Sequence, residues 1–201
     1  MKKNVLFVLL LSCFVFVACG KTTAKQNATA ADTEKTTTSK SMTTTTTTTQ
    51  TRQAEETEKT ESFEYEVNGE AGEKQLIKET VVYKGDQFLK LEVHITTQTD
   101  EATKTELSGV DFETVRAQML EYFNGDSSIQ QLKSIPGVEV ESDVTPEYDG
   151  IVNIKIDMTV VDLKALSSVE GMGADFTQFA ELTPKQYILG LKLQGAKAIT
   201  Q

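Results

Sequence analysis

The sequence predicts an α+β fold: a two-layer sandwich in which an antiparallel sheet of about five strands has helices packed on one face. Segments with period-two hydrophobic alternation follow one another through short turns, and segments with helical spacing lie between and after them. These patterns fall within residues 62–201, a length usual for one domain with its own hydrophobic core. The other face of the sheet is expected to be polar and open to water.

Period-two alternation predicts the strands. It is clearest in the third of them, where Leu89, Leu91, Val93 and Ile95 alternate with polar side chains. Turn residues separate the segments, namely Asn68-Gly69, Lys84-Gly85-Asp86 and the stretch 146–150. The predicted strands are 64–67, 75–83, 89–96, 138–144 and 154–160.

Helical spacing predicts two main helices. In the first, Phe112, Val115, Met119, Tyr122 and Phe123 fall on one face, with Asp111 as the N-cap and Asn124-Gly125 as the stop. The second begins at Thr183, has Pro184 at its first position and ends near Gly195. Shorter helical turns are expected at 128–135 and 162–168.

Residues 1–18 have the layout of a secretory signal peptide. Lys2 and Lys3 precede an apolar run, 5–17, that is shorter than the roughly 20 residues of a bilayer-spanning helix. Ala18-Cys19 resembles the lipobox of bacterial lipoprotein signals, although Phe16 stands where that motif usually has leucine. In such signals the cysteine thiol receives a diacylglyceryl group and becomes the first residue of the mature protein. We therefore expect lipidation of Cys19.

Two alternatives compete with lipidation of Cys19. Cleavage at Cys13 would leave the apolar stretch 14–17 exposed, which argues against that site. An uncleaved N-terminal anchor is the other alternative. Because Cys13 and Cys19 are the only cysteines, the mature domain is expected to have no disulfide, no thiol nucleophile and no cysteine metal site.

Residues 19–61 are expected to be the lipidated cysteine and a disordered tether. The segment is rich in threonine, with an uninterrupted run at 43–49, and after Cys19 it contains no aromatic residue. Such a composition cannot bury enough apolar surface to offset the entropy of ordering the chain. The tether would hold the domain off the lipid surface, and whether its threonines carry sugars is left open.

Charge narrows the set of partners. Residues 62–201 contain 24 acidic and 12 basic residues, a net charge of −12. Such a surface disfavours nucleic acids and anionic polymers or headgroups, and it favours cationic peptides, metal ions or basic protein patches. The expected partners are the lipid bilayer through acylated Cys19 and an unidentified envelope protein or ligand, with no nucleic acid.

Candidate catalytic and metal-binding residues are few. His94 is the one histidine and is predicted to lie on the wet face of its strand, without the buried carboxylate that a Ser-His-Asp arrangement requires. Alternation predicts that Glu139, Glu141 and Asp143 share one strand face, where they form a solvated surface or, with two acidic residues of the next turn, a cation site. The two turn residues are Glu147 and Asp149.

Two further features are interpreted as structural. The stretch 171–173 lacks the lysine and the preceding strand of a phosphate-binding loop, so a flexible connection is expected there. Tyr148 and Tyr187 are expected to pack in the core or in a hairpin. The sequence therefore predicts no catalytic residue, no metal site and no cofactor, and Cys19 is its one predicted modification site.

Four stretches carry a resemblance to the YehR-like family of small bacterial lipoproteins: 83–86, 110–123, 156–171 and 191–197. The likeness covers nearly all of the domain and the signal, but not the long threonine-rich tether. It implies a two-layer α/β lipoprotein domain with no established activity. No catalytic residue is implied by the family.

The expected function is that of a lipid-anchored protein on the extracytoplasmic face of a bacterial cell membrane, with a non-enzymatic binding or interaction domain. The alternative is a carboxylate-dependent cell-envelope enzyme, which would require a concave pocket with convergent carboxylates of perturbed pKa. A solute-binding protein of a transporter is disfavoured, because one domain of this size leaves no room for two hinged lobes.

Overall fold

A computed structural model describes residues 57–68, 73–169 and 176–200, and the six strands of this part of the chain form one antiparallel sheet. The α+β class is confirmed, with six strands where about five were expected. The spatial order is β4-β5-β3-β2-β1-β6. The strands are β1 (Glu58–Asn68), β2 (Lys74–Lys84), β3 (Gln87–Thr97), β4 (Val138–Val144), β5 (Gly150–Asp157) and β6 (Lys197–Ile199).

The described residues form five α-helices and one 3₁₀ helix, and capping side chains begin the five α-helices. They are α1 (Glu101–Leu107), α2 (Phe112–Asn124), α3 (Ser127–Lys133), α4 (Leu163–Ser167), a 3₁₀ helix (Phe176–Ala180) and α5 (Pro184–Leu193). Aspartates 100, 111, 126 and 162 cap α1 to α4, each accepting bonds from backbone N–H groups of the first turn. Thr183 and Gln186 form a capping box at α5. The predicted starts at Asp111 and Thr183 are confirmed.

Several element boundaries differ from the prediction. Strand β1 begins at Glu58, four residues before the expected domain start, because 58–61 pair with 81–84 of β2. Strand β5 ends at Asp157, whose side chain accepts bonds from Thr159 and so begins a turn. Helix α1 and strand β6 were not predicted: α1 buries no residue and β6 has three residues, so neither has a hydrophobic period.

One face of the sheet forms the core. Its strand register aligns a single row of side chains across five strands, namely Phe63, Glu79, Val93, Ile154 and Val140. All five are buried, and Glu79 is the one polar member of this row. Helical residues of α3, α4 and α5 that are buried in the same core include Ile129, Leu132, Leu166 and Leu191.

The opposite face is polar, as predicted. Lys78 lies beside His94 in the register and Nζ of Lys78 is 3.7 Å from Oε2 of Glu64. Ser62 and Thr80 share a hydrogen bond of 2.9 Å across β1 and β2. We refer to this surface as the open face.

An irregularity in β3 reverses the side-chain alternation near its start. Val82 pairs with Lys90 but Tyr83 pairs with Phe88, so Leu89 is the extra residue of a β-bulge. Alternation predicted Leu89 on the same face as Leu91. The bulge instead turns Phe88 to the helix-covered side, where its ring meets that of Phe179 with centroids 5.1 Å apart.

A tight contact between β5 and α2 gives a stability prediction. A Cβ added at Gly150 would lie 2.7 Å from Cζ of Phe123, whose ring is buried in the core. Gly150→Ala is therefore expected to lower the free energy of unfolding by about 1–3 kcal/mol through overpacking. Gly109→Ala is the control, because a Cβ there meets nothing within 4 Å. Urea denaturation with equal midpoints for the two variants would contradict the prediction.

The expected signal peptide, Cys19 and most of the expected tether lie outside the described residues. In the part of the chain that the structure describes, no helix is long and apolar enough to cross a membrane.

Candidate functional site

The most unusual polar group of the core is Glu79, at the centre of β2. Its side chain is 3% exposed. The hydroxyl of Tyr187 on α5 donates to Oε1 of Glu79, and the hydroxyl of Tyr65 on β1 donates to Oε2 at 3.2 Å. We call Glu79, Tyr65 and Tyr187 the Glu79 cluster.

Burial controls the ionisation of Glu79. Removal from water disfavours the carboxylate, and the two tyrosine hydrogen bonds favour it more weakly, so the pKa of Glu79 is raised to about 7. Near neutral pH this carboxyl can therefore be either protonated or ionised. Such a pKa is typical of a general acid or base, but also of a carboxyl buried for structural reasons.

A cavity of about 400 Å³ lies beside the turn between β2 and β3. Its walls come from this turn, from the segment after β5, from α4 and from the end of the 3₁₀ helix. The lining side chains are Asp86, Gln87, Phe88, Leu89, Met158, Thr159, Leu163, Phe179, Ala180 and Leu182. We call it the turn pocket. Seven of the ten lining residues are apolar, but polar atoms form about half of the lining surface, and Asp86 is the one charged residue among the ten.

Aromatic packing connects the turn pocket to the Glu79 cluster. Phe88 and Phe179 line the pocket, and both also contact the ring of Tyr187, with centroids 5.8 and 5.0 Å away. The rings of Phe176 and Phe179 stack at 5.9 Å. The wall of the pocket and the partner of Glu79 therefore belong to one aromatic cluster, but Glu79 itself does not line the pocket.

His94 lies on the open face, where the sequence predicted it. Its Nδ1 is 2.5 Å from Oδ1 of Asn153, and its Nε2 is 3.3 Å from Oγ1 of Thr96. Both partners are neutral. No carboxylate orients this imidazole among the hydrogen bonds of the described residues, so the geometry of a catalytic triad is not present there.

The predicted acidic strand face does not converge on one point. Asp143 accepts two bonds from Arg116 at 2.8 and 2.9 Å, and Asp149 lies 3.0 Å from Nζ of Lys104. Glu139 lies opposite Lys155 in the sheet. Within residues 57–68, 73–169 and 176–200, no group of three or more potential ligating side chains is placed to hold a metal ion.

The two tyrosines singled out in the sequence both pack internally. Tyr187 is buried in the core, and Tyr148 lies in the turn after β4 with a positive φ of 64°, its ring 5.8 Å from that of Phe112. The glycine-rich stretch 171–173 falls outside the described residues.

Sequence reasoning missed both parts of the candidate site. A usable signal existed for Glu79, which occupies the same strand face as Ile77 and Val81 and so had to be buried with them. The turn pocket had no comparable signal. Its walls come from four separate segments, and Phe88 reaches it through a bulge that period-two alternation does not anticipate.

Comparison with known proteins identifies the family. The family model of YehR-like proteins matches residues 60–191, most of the chain. The chain belongs to the YehR-like family. This membership confirms the resemblance seen in the sequence, and it brings no assigned activity with it. A search of curated proteins finds no significant match.

Two solved structures support the fold. The NMR structure of a protein from Streptococcus pneumoniae TIGR4 superposes with a TM-score of 0.58 at 21% identity, covering 86% of this chain and all of that one. The NMR structure of the Escherichia coli YehR protein superposes with a TM-score of 0.51 at 27% identity, covering 72% of this chain and 92% of that one. The first likeness concerns the fold alone.

Proposed function

We propose that this YehR-like protein is a bacterial surface lipoprotein. Acylated Cys19 would hold it on the extracytoplasmic face of the membrane, and the domain would bind a small ligand or an envelope partner without catalysing a reaction. The signal-like layout of residues 1–19 supports lipidation of Cys19. A diacylglyceryl group has two acyl chains, and two chains hold a protein stably on a bilayer whereas one chain does not.

The separation of Glu79 from the turn pocket carries the proposal of a binding domain. An enzyme that works with carboxylates brings at least one of them within hydrogen-bond reach of its substrate. In this domain the carboxyl with the raised pKa is enclosed by Tyr65 and Tyr187. The pocket contributes a surface of mixed polar and apolar character, with one acidic residue, Asp86, at the turn. That combination favours binding of an apolar group that carries a positive charge.

A carboxylate-dependent cell-envelope enzyme is the second candidate. The observation that favours it is the pKa of Glu79, which is raised to about 7. For Glu79 to act on a substrate, Tyr187 and the rings of Phe88 and Phe179 would first have to move aside. This requirement makes the enzyme the weaker candidate.

Benzamidine, a small aromatic cation, is a suitable probe of the turn pocket. We expect it to shift the backbone amide resonances of 86–89 and 179–182, whereas benzoate, its anionic counterpart, should not. Asp86→Asn should weaken benzamidine binding by about two- to fivefold, the usual effect of an exposed charge pair.

A variant that fills the turn pocket tests whether benzamidine binds there. Ala180 is exposed at the pocket, so Ala180→Trp should fill it and abolish the benzamidine shifts. Val110→Trp, at an exposed site that does not line the pocket, is the matched control and should leave them intact. Shifts that persist in Ala180→Trp, or that fall on the open face, would contradict binding in the turn pocket.

A further inference from the structure

The final segment of the chain differs in charge from the rest of the domain. Residues 182–201 contain Lys185, Lys192 and Lys197 and no aspartate or glutamate, whereas 62–201 as a whole carries a net charge of −12. Helix α5 and strand β6 both lie in this segment. An acidic domain therefore has a basic segment, and α5 makes up half of it.

The exposed side of α5 combines this charge with apolar side chains. At 3.6 residues per turn, Lys185, Leu189, Lys192 and Leu193 fall within a sector of about 100°. All four are exposed, and the two leucines retain 56% and 79% of their accessible surface. The buried residues Tyr187, Ile188 and Leu191 occupy the opposite side. We call the four exposed residues the α5 outer face.

This face lies close to the point where the chain from Cys19 enters the domain. Nζ of Lys192 is 3.9 Å from Oε2 of Glu61 and 5.5 Å from the ring centre of Phe63. Glu61 is the fourth residue of β1, about 10 Å along the strand from its first residue. The first strand of the described domain therefore begins close to the Lys192 end of the α5 outer face.

We propose that the α5 outer face docks the domain on an anionic lipid bilayer. The two leucines would enter the boundary between headgroups and acyl chains, as in interfacial amphipathic helices. Lys185 would contact a lipid phosphate, and Lys192 would exchange its ion pair with Glu61 for a lipid phosphate. The net charge of the whole domain opposes such binding. At 0.1 M salt, however, charges more than about 10 Å from the lipid surface are largely screened. The charges on the docked face therefore determine whether the domain binds the bilayer.

The inference rests on the proposed anchor, because acylated Cys19 brings the domain to the membrane and keeps it there. Two exposed leucines and two lysines give weak binding on their own. A tether converts docking into an intramolecular step with a high effective concentration of lipid. The anchor and the docking face can still be tested separately.

A single fluorophore on α5 tests the docking. The chain isolated from the membrane fraction is reconstituted in vesicles of phosphatidylcholine with phosphatidylglycerol, and in vesicles of phosphatidylcholine alone. Leu193→Cys carries an environment-sensitive label, since residues 20–201 contain no cysteine. Tyr122→Cys on α2 is the control, because its side chain is also exposed, at 58%, and lies on another helix. Spin-labelled lipids in the bilayer serve as the quencher.

We expect quenching at position 193 in the anionic vesicles, little quenching there in the neutral vesicles, and little quenching at position 122 in either. In a Lys185→Gln/Lys192→Gln background the docking equilibrium should fall about 25-fold, about fivefold for each lysine. Equal quenching at the two positions, or none at 193, would overturn the proposal. A fluorescence change at position 193 that depends on protein concentration and not on lipid would also overturn the proposal. It would indicate that the α5 outer face binds a second copy of the chain.

The parent chain without a reporter cysteine separates failure of docking from failure of the anchor. In the mature chain, from which residues 1–18, including Cys13, are removed, a blocked Cys19 leaves no thiol to label, whereas an unacylated Cys19 takes up the fluorophore. Absence of quenching in a chain with a blocked Cys19 would therefore refute docking and leave the lipid anchor intact.

Discussion

Replacing Glu79 by glutamine should make the free energy of unfolding nearly independent of pH between about pH 5 and about pH 8, an interval in which the parent chain should lose roughly 2–3 kcal/mol. The unfolded chain releases the Glu79 proton near the ordinary pKa of 4.5, and the folded chain holds it until about pH 7. The stabilisation that protonated Glu79 contributes is therefore fully present below the pKa of the unfolded chain. It is lost as pH rises through the pKa of Glu79 in the folded chain. Above about pH 7 the loss should level off.

The other pKa shifts resolved among the described residues concern acid or base outside this pH interval. The pKa values of Asp100, Asp143 and Asp157 are lowered by hydrogen bonds, so their contributions are lost only in acid. A hydrogen bond to Glu61 raises the pKa of Tyr83 to about 12, which affects stability only in strong base. Urea denaturation at several pH values measures the effect, with the exposed Glu139→Gln as the control. If the free energy of unfolding of Glu79→Gln still fell between about pH 5 and about pH 8, the assignment of this pH dependence to Glu79 would be refuted.

Replacing Cys19 by alanine should release the protein from the membrane. The anchor energy comes from the acyl chains, at about 0.8 kcal/mol for each buried methylene, so two chains bind stably and their loss is close to all-or-none. Cell fractionation of the parent and of Cys19→Ala should place the protein in the membrane and in the soluble fraction, respectively. Cys13→Ala is the matched control and should stay in the membrane. Release of Cys13→Ala together with retention of Cys19→Ala would assign the anchor to Cys13.

The fold could be predicted where hydrophobic period and capping chemistry agree. In β4, buried Val138, Val140 and Val144 alternate with exposed residues, and α2 begins after Asp111, as its sequence indicates. Helix α1 escaped prediction because its seven residues bury nothing, although Asp100 is a good N-cap. Strand β6 escaped because three residues are too few to show a period, and it is defined only by its pairing with β1.

The candidate site depended on interactions that are distant in sequence. Tyr187 and Glu79 meet across 108 residues, so neither residue alone indicates a cluster. Phe88 reaches Phe179 because of a bulge in β3, and bulges are set by the pairing of whole strands. Alternation could have placed Glu79 inside, since its strand neighbours Ile77 and Val81 are apolar. Its partners and the turn pocket required the assembled sheet.

Intact mass spectrometry of the protein from a membrane fraction tests the lipid anchor most directly. We predict a chain that begins at Cys19 and carries the additional mass of a diacylglyceryl group, with residues 1–18 removed. A mass that retains residues 1–18, or a chain that begins elsewhere without lipid, would contradict the anchor. The domain would then have to be regarded as freely secreted or as held by an uncleaved N-terminal segment.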